Sequence, residues 1–523
     1  MVAAFSPTHP MGELTTYPKN EKTVFIKDSL LVDTFGGKIH VEWDTQAAVT
    51  PLGQLAFFIE FLKLGGLFDA FVEDCPLNTT SPNAPSKTNI LGTLTLSILA
   101  GHRRYAHVTS MRSDGVNPGL LGMTKVVSED SLRRSLTKIP QEAGVTWLQK
   151  SFYKCYGPLL SIPWIMDIDT SVKVLYGNQE GAEIGYNPKK PGRPSHIYHT
   201  YFMGNLRLIL DVDVQPGNQM AASFTAPNLW AVLDSSIPRN QWPSFIRGDC
   251  AFGTDGVMSA AEERELPYLF KLKQTSNVKK EIKNLMFSQG WEDAGQGWEG
   301  KESSIKLHGW TKYRRIVILR KLILKPDENT SAPESDMPKQ KLLGIPGIVG
   351  SNLEYEYAVL VTSLPDGILT LAQHYRDRAD SENIFDETKN QWGWGGYTTQ
   401  DLHRCRLVAR AVGLIYNWWN LYTRLANPDK HLEAITSRPL LLHAVAKQTR
   451  HAGQTHLQIT STHGKAGQVR KILSRIVDFF ESLKEIAEQL TAEQRWYRIL
   501  SKALEKYLHG VILAPPLALP DTG

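Results

Sequence analysis

One segment of the sequence combines residue types that together could perform phosphate chemistry. It spans residues 374–389 and has a helical pattern. At about 100° per residue, four of its polar side chains fall within an arc of about 60°. They are Tyr375, Arg378, Glu382 and Lys389, which together form a polar stripe along one side of the predicted helix. The carboxylate could hold a metal ion while the two cations hold phosphate oxygens. The alternative is a solvated face with i,i+4 ion pairs, which explains the charges but not why Tyr375 and Glu382 align with both cations.

A single carboxylate binds a catalytic Mg²⁺ poorly, so further acids are expected at rigid positions such as strand ends. Asp167 and Asp169 lie on one face of a short predicted strand, and Asp249 ends an apolar one. Asp211 and Asp213 alternate along another predicted strand and are rivals on geometry alone. For that pair we favour a solvated hairpin face.

The elements that must position these residues follow from hydrophobic periodicity. Strands with an intervening helix over residues 162–273 indicate an α/β layer. Residues 281–362 predict a separate, mostly β insertion with an exposed loop at 326–341. The rest of the chain is predicted to be mainly helical, with helices at 370–390, 398–426, 468–490 and 491–508. Near the start, residues 23–43 predict a hairpin around Gly36 and Gly37.

Charge is unevenly distributed along the 523 residues, although the net charge is only +5. Residues 87–150 carry 9 Lys and Arg against 4 acids, residues 271–325 carry 13 against 5, and residues 401–523 carry 17 against 10. Any one basic segment could simply solvate a surface. Three of them, separated by acidic stretches, favour a protein that grips a polyanion such as nucleic acid.

Several classes of protein are disfavoured by composition. No apolar stretch approaches the ~20 residues of a membrane span, and no secretory signal is recognisable, so no membrane partner is expected. The four cysteines are scattered without a CxxC pair, which disfavours disulfides and a cysteine zinc site. A reducing cytoplasm is the expected location.

The spacing Tyr375-(2)-Arg378-(3)-Glu382-(6)-Lys389 resembles the signature of bacterial insertion-sequence DDE transposases. Asp169-Thr-Ser is similar to that family's first acidic motif and favours Asp169 over Asp167, which stays open. Arg-Gly-Asp249 is similar to the second motif. These enzymes have an RNase H-like fold with a β-rich insertion before the glutamate, and 133 positions separate Asp249 from Glu382. The resemblance covers residues 163–397 clearly and the flanking helices loosely.

The resemblance implies a role for each of these residues. Asp169, Asp249 and Glu382 would be the catalytic residues and would bind two Mg²⁺ ions, for which Mn²⁺ can substitute. The ions would activate a water or 3′-hydroxyl and stabilise the leaving oxygen of an in-line displacement. Phosphates beside the cleaved bond would contact three side chains of the stripe, namely Tyr375, Arg378 and Lys389.

Further DNA contacts are predicted outside the stripe. Lys189, Lys190 and Arg193 lie on a Pro-Gly loop that could follow the DNA backbone, although a solvated loop explains them equally well. Trp298 lies in the basic insertion, where an aromatic of related transposases stacks on a flipped base. The alternative for Trp298 is the small core of the insertion.

The predicted fold class is α/β, with an RNase H-like core interrupted by a β insertion and flanked by helical regions. We expect a DNA-end-binding region at 1–150, core parts at 151–275 and 366–426, the insertion at 276–365, and a C-terminal helical region at 427–523 for DNA binding or dimerisation. The implied partners are terminal inverted repeats and target DNA, in a paired complex of a homodimer. The expected location is the bacterial cytoplasm, at the nucleoid.

The predicted function is Mg²⁺-dependent DNA cleavage and strand transfer by a transposase. One rival is a catalytically inactive, transposase-derived DNA-binding protein, which would be expected to have lost an acid. The other is a carbohydrate-active hydrolase, suggested by 13 Trp and paired acids. A hydrolase would require neither Arg378 and Lys389 beside Glu382 nor three basic segments.

Overall fold

A computed structural model describes residues 29–79, 81–188, 190–219, 221–323, 354–461, 464–485 and 490–515. The chain divides into two compact units, Met1–Ala47 and Ala48–Gly523. In the first unit, strands β1 (Ser29–Thr34) and β2 (Gly37–Glu42) pair antiparallel. Gly37 has φ +108°, a conformation that glycine adopts without steric cost. The predicted Gly36-Gly37 hairpin is confirmed over these strands, while residues 23–28 lie outside the described residues.

The second unit is a mixed α/β structure. Its strands are β3 (Ala48–Thr50), β4 (Ile165–Val174), β5 (Glu183–Ile184), β6 (Pro194–Met203), β7 (Leu208–Pro216), β8 (Phe245–Gly248), β9 (Tyr268–Lys271), β10 (Glu292–Gly295), β11 (Trp298–Ile305), β12 (Arg314–Ile323), β13 (Glu354–Thr362), β14 (Ala446–His451) and β15 (Gln454–Ile459). Most of them belong to one ten-stranded sheet.

The second unit also contains sixteen described α-helices, which precede, separate and follow these strands along the chain. They are α1 (Leu55–Leu64), α2 (Leu67–Glu73), α3 (Lys87–Leu99), α4 (Asn117–Leu120), α5 (Glu129–Thr137), α6 (Gln141–Tyr156), α7 (Ala221–Ser236), α8 (Asp255–Glu263), α9 (Ser276–Leu285), α10 (Ile368–Arg376), α11 (Ala379–Gln391), α12 (Leu402–Ala426), α13 (Ala434–Leu441), α14 (Ala466–Glu485), α15 (Ala492–Ala503) and α16 (Glu505–Leu508).

Five strands form the core of the large sheet, in the order β7-β6-β4-β8-β9. β4, β6 and β7 are antiparallel neighbours, whereas β8 and β9 run parallel to β4. Numbered along the chain, this order is 3-2-1-4-5, the arrangement of an RNase H-like fold. The predicted fold class is therefore confirmed.

The β insertion extends this core sheet. β13 pairs antiparallel with β9, with Val361 opposite Phe270, and β12, β11 and β10 follow in turn. Residues 276–365, predicted as a separate domain, therefore share backbone hydrogen bonds with the core. The predicted loop at 326–341 lies outside the described residues.

Helix α12 closes one face of the sheet by packing along β7 and against α6. Trp418, Trp419 and Tyr422 are buried within it, so the helix is buried on nearly every side. A helix with apolar residues on all its faces is stable only when it is buried on all sides, because any exposed face would place apolar side chains in water.

The C-terminal region departs from the helical expectation in one place. β14 and β15 form a hairpin that adds to β3, with Ala446 opposite Thr50. These strands are polar and short, so periodicity within residues 446–459 gives little signal, and their sheet depends on a partner almost 400 positions away. The capping box of Thr491 and Gln494, by contrast, begins α15 as its sequence pattern indicates.

Candidate active site

The register of two parallel strands brings Asp169 and Asp249 together. In the β4–β8 ladder, Asp167 lies opposite Arg247 and Ile168 lies opposite Gly248. Asp169 is the next residue of β4, and Asp249 directly follows the last residue of β8. The two acids therefore lie side by side at the carboxyl end of β8, where the charge of Asp249 acts on Asp169.

Glu382 reaches the same place from the first turn of α11. The single helix predicted for residues 370–390 is wrong, because the chain forms a turn at Asp377 and Arg378 between α10 and α11. Both turn residues keep right-handed helical backbone angles, so the polar stripe survives the interruption.

Arg378 lies between the carboxylates. Its Nη2 is 2.6 Å from Asp169 Oδ2, and its Nη1 is 2.8 Å from Glu382 Oε1. The guanidinium is buried, whereas 64% of the Glu382 side chain is exposed. One cation thus ties a strand acid to a helix acid, and the bridge holds α11 against β4.

Burial and charge both act on Asp169. The pKa of its carboxyl group is raised from 3.8 to about 7, chiefly because the group is removed from water and to a smaller extent because Asp249 and Glu382 repel its charge. Arg378 opposes this rise through its positive charge, as does the Thr170 backbone N–H donated to Asp169. A carboxylate with this raised pKa is short of positive charge, which is what a bound divalent cation would supply.

The donor set suits Mg²⁺ more than softer metals, because it consists of carboxylate oxygens. Within the described part of the chain, no three acids already converge closely enough to hold an ion. Arg378 accounts for this by filling the space between Asp169 and Glu382. Rotation of the exposed Glu382 side chain and displacement of Arg378 would leave Asp169, Asp249 and Glu382 facing one another.

Asp167, the alternative first acid, is fully buried and already paired. Its Oδ2 is 2.7 Å from Arg247 Nη2 and accepts a hydrogen bond from Ser381 Oγ at 2.5 Å. Arg247 also donates to the carbonyl of His374. This network joins β4, β8, α10 and α11, so Asp167 positions the elements of the site. The geometry favours Asp169 as the metal-facing acid.

Sequence reasoning missed Arg247 and Ser381 as members of this site. A usable signal was present, because an arginine within the apolar run before Asp249 must be paired if that strand is central. Its partner Asp167, however, lies 80 positions earlier.

The interpretation of Asp211 and Asp213 as a solvated hairpin face is wrong. Arg410 of α12 packs onto β7, with its Nε 2.9 Å from Asp211 Oδ1 and its Nη2 3.3 Å from Asp213 Oδ1. Asp211 is 3% exposed. Both acids therefore serve the contact between helix and sheet, and neither is free to join Asp169.

The two remaining residues of the polar stripe, Lys389 and Tyr375, contact different parts of the structure. Lys389 Nζ donates to the carbonyl of Val172 on β4, three positions beyond Asp169. Tyr375 is half-buried and packs, as Trp298 does, against the apolar cluster around Phe245. Burial raises the pKa of Tyr375, so its hydroxyl stays protonated. For Trp298, this packing favours the insertion-core alternative.

Two of the three loop cations predicted to contact DNA can be placed. Lys190 and Arg193 are exposed between β5 and β6, beyond the end of β4, and both lie beside Tyr176. Lys189 lies outside the described residues. Lys173 of β4, which the sequence did not single out, is buried, and its Nζ donates to the Gly396 carbonyl. Burial lowers the pKa of Lys173 to about 8.

We expect Mn²⁺ to raise the melting temperature of the protein strongly at pH 8 and weakly near pH 5.5. The folded-state pKa of Asp169 lies above its ordinary value, so without metal this group lowers stability as pH rises from about 4 through about 7. Metal binding offsets that loss only where the carboxyl is ionised. Thermal denaturation with and without Mn²⁺ measures the effect. Equal increases at both pH values, or an undiminished increase in Asp169→Asn, would contradict the assignment.

The fold and this site together define a class of protein. A 3-2-1-4-5 sheet with acids on its first and fourth strands and a third acid on a following helix is the arrangement of RNase H-like enzymes that cut nucleic acids. The model of the family Transposase DDE domain group 1 matches residues 78–479. The chain therefore belongs to this family of DDE transposases, enzymes that cut and rejoin DNA.

Other comparisons add less. Among solved structures, a piggyBac transposase synaptic complex with hairpin DNA matches at 11% identity and a TM-score of 0.36, over 92% of this chain and 90% of that chain. No curated protein matches the sequence. Across the described residues, none of the helices has the length and apolarity to cross a bilayer.

Proposed function

We propose that this protein is the transposase of a bacterial insertion sequence, and that it binds the terminal inverted repeats of its element and catalyses DNA strand cleavage and strand transfer. The observation that supports the proposal is that Arg378 bridges Asp169 and Glu382, with Asp249 near enough for its charge to act on both Asp169 and Arg378. Family membership supports the reaction class, and the site supplies the residues.

Asp169, Asp249 and Glu382 would hold two Mg²⁺ ions, with Mn²⁺ as a substitute. Bound ions of this kind activate a water or 3′-hydroxyl and stabilise the leaving oxygen of an in-line phosphoryl displacement. The acids themselves contribute position. Asp169 is held within β4 and Asp249 directly follows β8, whereas Glu382 can adjust because its side chain is exposed.

Arg378 would have a second role if the three acids bound cations, namely binding a phosphate of the DNA. Its guanidinium would then be free to leave Asp169 and Glu382 while staying beside them, because the Arg378 backbone N–H donates to the Tyr375 carbonyl in the turn at 377–378. A planar guanidinium matches two phosphate oxygens as well as it matches two carboxylates. Arg378 would thus exchange an internal ion pair for the phosphate next to the cleaved bond, and Lys389 would hold a phosphate further along.

The proposed partners are the two ends of the element and a target duplex. Lys190 and Arg193 would extend the contact beyond the cleaved bond, together with Lys189, which adjoins Lys190 in the sequence. Cleavage at two ends calls for a homodimer that pairs them, acting in the cytoplasm at the nucleoid. Retention of all three acids argues against the inactive DNA-binding alternative, because loss of catalysis removes the pressure to keep a costly buried carboxylate such as Asp169.

Cleavage of a DNA fragment that carries the element's ends tests the proposal. We expect strand breaks at the ends with Mg²⁺ or Mn²⁺, none with excess EDTA, and recovery when metal is restored. DNA binding should weaken steeply with added salt, because each neutralised phosphate releases a counterion. Salt-sensitive binding without any metal-dependent breaks would instead support the inactive alternative.

A further inference from the structure

A cluster of exposed cations surrounds an exposed aromatic ring just beyond the catalytic strand. Tyr176 follows β4 by two residues and is 71% exposed. Lys190 Nζ lies 5.2 Å from its ring centre and donates to its hydroxyl at 2.5 Å. The guanidinium carbon of Arg193 lies 5.9 Å from the same ring centre. The aromatic ring of Tyr176 is thus exposed to solvent and flanked by two positively charged side chains.

The backbone that carries these side chains is well anchored. The β4–β6 ladder ends with Val174 opposite Ser195, and the Leu175 N–H donates to the Pro194 carbonyl at 2.9 Å. The buried side chain of Asn187 accepts from the Lys190 N–H at 3.0 Å. These hydrogen bonds fix the backbone on both sides of the cluster relative to the end of the β4–β6 ladder.

Its distance from the proposed reaction centre is limited by strand geometry. Tyr176 is seven residues beyond Asp169, which at about 3.3 Å per residue is at most about 23 Å. A DNA strand repeats every ~3.4 Å. A strand held at Asp169 would therefore reach Tyr176 within roughly seven nucleotides.

We infer that Tyr176 stacks on an unpaired base of the bound DNA, with Lys190 and Arg193 holding the neighbouring phosphates. The inference rests on the proposed function and adds to it a base-binding position outside the acidic site. Exposed aromatics flanked by cations are the chemistry that binds unpaired nucleotides, because the ring takes the base face and the cations take the backbone. The base must be unpaired, since its face is covered within a duplex.

Binding of two fluorescent oligonucleotides, measured by anisotropy without divalent metal, tests this inference. One probe is a 20-nucleotide oligothymidine, and the other is an abasic strand of equal length and charge. We expect Tyr176→Ala to weaken oligothymidine binding by about 5- to 150-fold, the range for one base–aromatic stack, and to leave abasic binding unchanged. Tyr176→Phe keeps the ring and should retain most of the oligothymidine affinity.

Tyr313→Ala is the matched control. Tyr313 is 69% exposed and precedes β12, whose amino end lies at the sheet edge opposite the carboxyl end of β4. This variant should bind both probes as the wild type does, and the melting temperatures of all variants should agree because both rings are exposed.

Three results would overturn the inference. Unchanged oligothymidine binding by Tyr176→Ala would show that the ring makes no contact. Equal losses for both probes would show that Tyr176 only braces the cations. Failure of the wild type to bind either single-stranded probe would also contradict the inference. None of these results bears on the proposed cleavage of duplex element ends, which the metal-dependent cleavage assay tests separately.

Discussion

Glu382→Gln is expected to lower the rate of DNA strand cleavage by roughly 10³-fold or more while DNA binding persists. The amide is isosteric but carries no charge, so the helix acid can no longer complete a cation site with Asp169 and Asp249. Metal ions contribute several kcal/mol to phosphoryl transfer, and ~4 kcal/mol corresponds to about 10³ in rate. Single-turnover cleavage of DNA bearing the element's ends, at saturating Mg²⁺, measures the loss.

Binding should survive because Glu382 is a carboxylate facing a polyanion. Its removal reduces local negative charge and frees Arg378, which would bind phosphate at least as well. The variant should also fold normally, since the lost i,i+4 pair involves a side chain that is largely exposed.

Asp386→Asn is the matched control for this substitution. Asp386 lies on α11 as well, is exposed, and accepts a hydrogen bond from Asn390 Nδ2 at 2.7 Å. The same carboxylate-to-amide change four residues further along should leave cleavage unchanged. If Glu382→Gln cleaves as well as Asp386→Asn, the assignment of the third acid is wrong.

Arg247→Met is expected to destabilise the folded protein by about 3–5 kcal/mol, because it leaves Asp167 buried without a counter-charge. Both partners of this pair are 1% exposed at their side chains. Arg247 also supplies a hydrogen bond to the His374 carbonyl, so its loss weakens the junction of α10 with the sheet. The urea midpoint of unfolding, followed by tryptophan fluorescence, measures the change.

Two further variants separate the buried charge from general damage. Lys150→Met removes a surface pair with Asp74 and should cost at most about 1 kcal/mol. The double variant Asp167→Leu/Arg247→Met should recover much of the stability lost in Arg247→Met, because no unpaired charge remains. A destabilisation by Arg247→Met no larger than that of Lys150→Met would contradict the dependence of Asp167 on its pairing with Arg247.

Local patterns in the sequence were enough to single out Asp169, Asp249 and Glu382 as candidate acids and to predict helical structure around the third. The spacing from Tyr375 to Lys389 depends only on residues within about four helical turns, and Asp249 follows an apolar strand that is short and unambiguous. The Ser128 N-cap of α5 and the capping box at Thr491 are likewise formed by residues three apart. The order of strands in an RNase H-like core came from the family resemblance, and backbone pairing now confirms it.

Choices between equivalent positions depended on distant partners. Asp167 and Asp169 share a strand face, so periodicity treats them alike. Only the arrival of Arg247 on the adjacent strand and Ser381 from α11 shows that Asp167 is buried in an ion pair. Asp211 was misjudged for the same reason, because its partner Arg410 lies on a helix 199 positions later.

The sheet's full extent was also beyond local inference. Pairing of β13 with β9, and of β14 with β3, is decided by which strand edges remain open after the core has formed. The sequence by itself determined the chemistry available, since residue type and short spacing are local properties. Tertiary structure decided which carboxylates remain candidates for binding a cation. Asp167 and Asp211 are neutralised by buried arginines, whereas Asp169 keeps a raised pKa that a bound cation would lower.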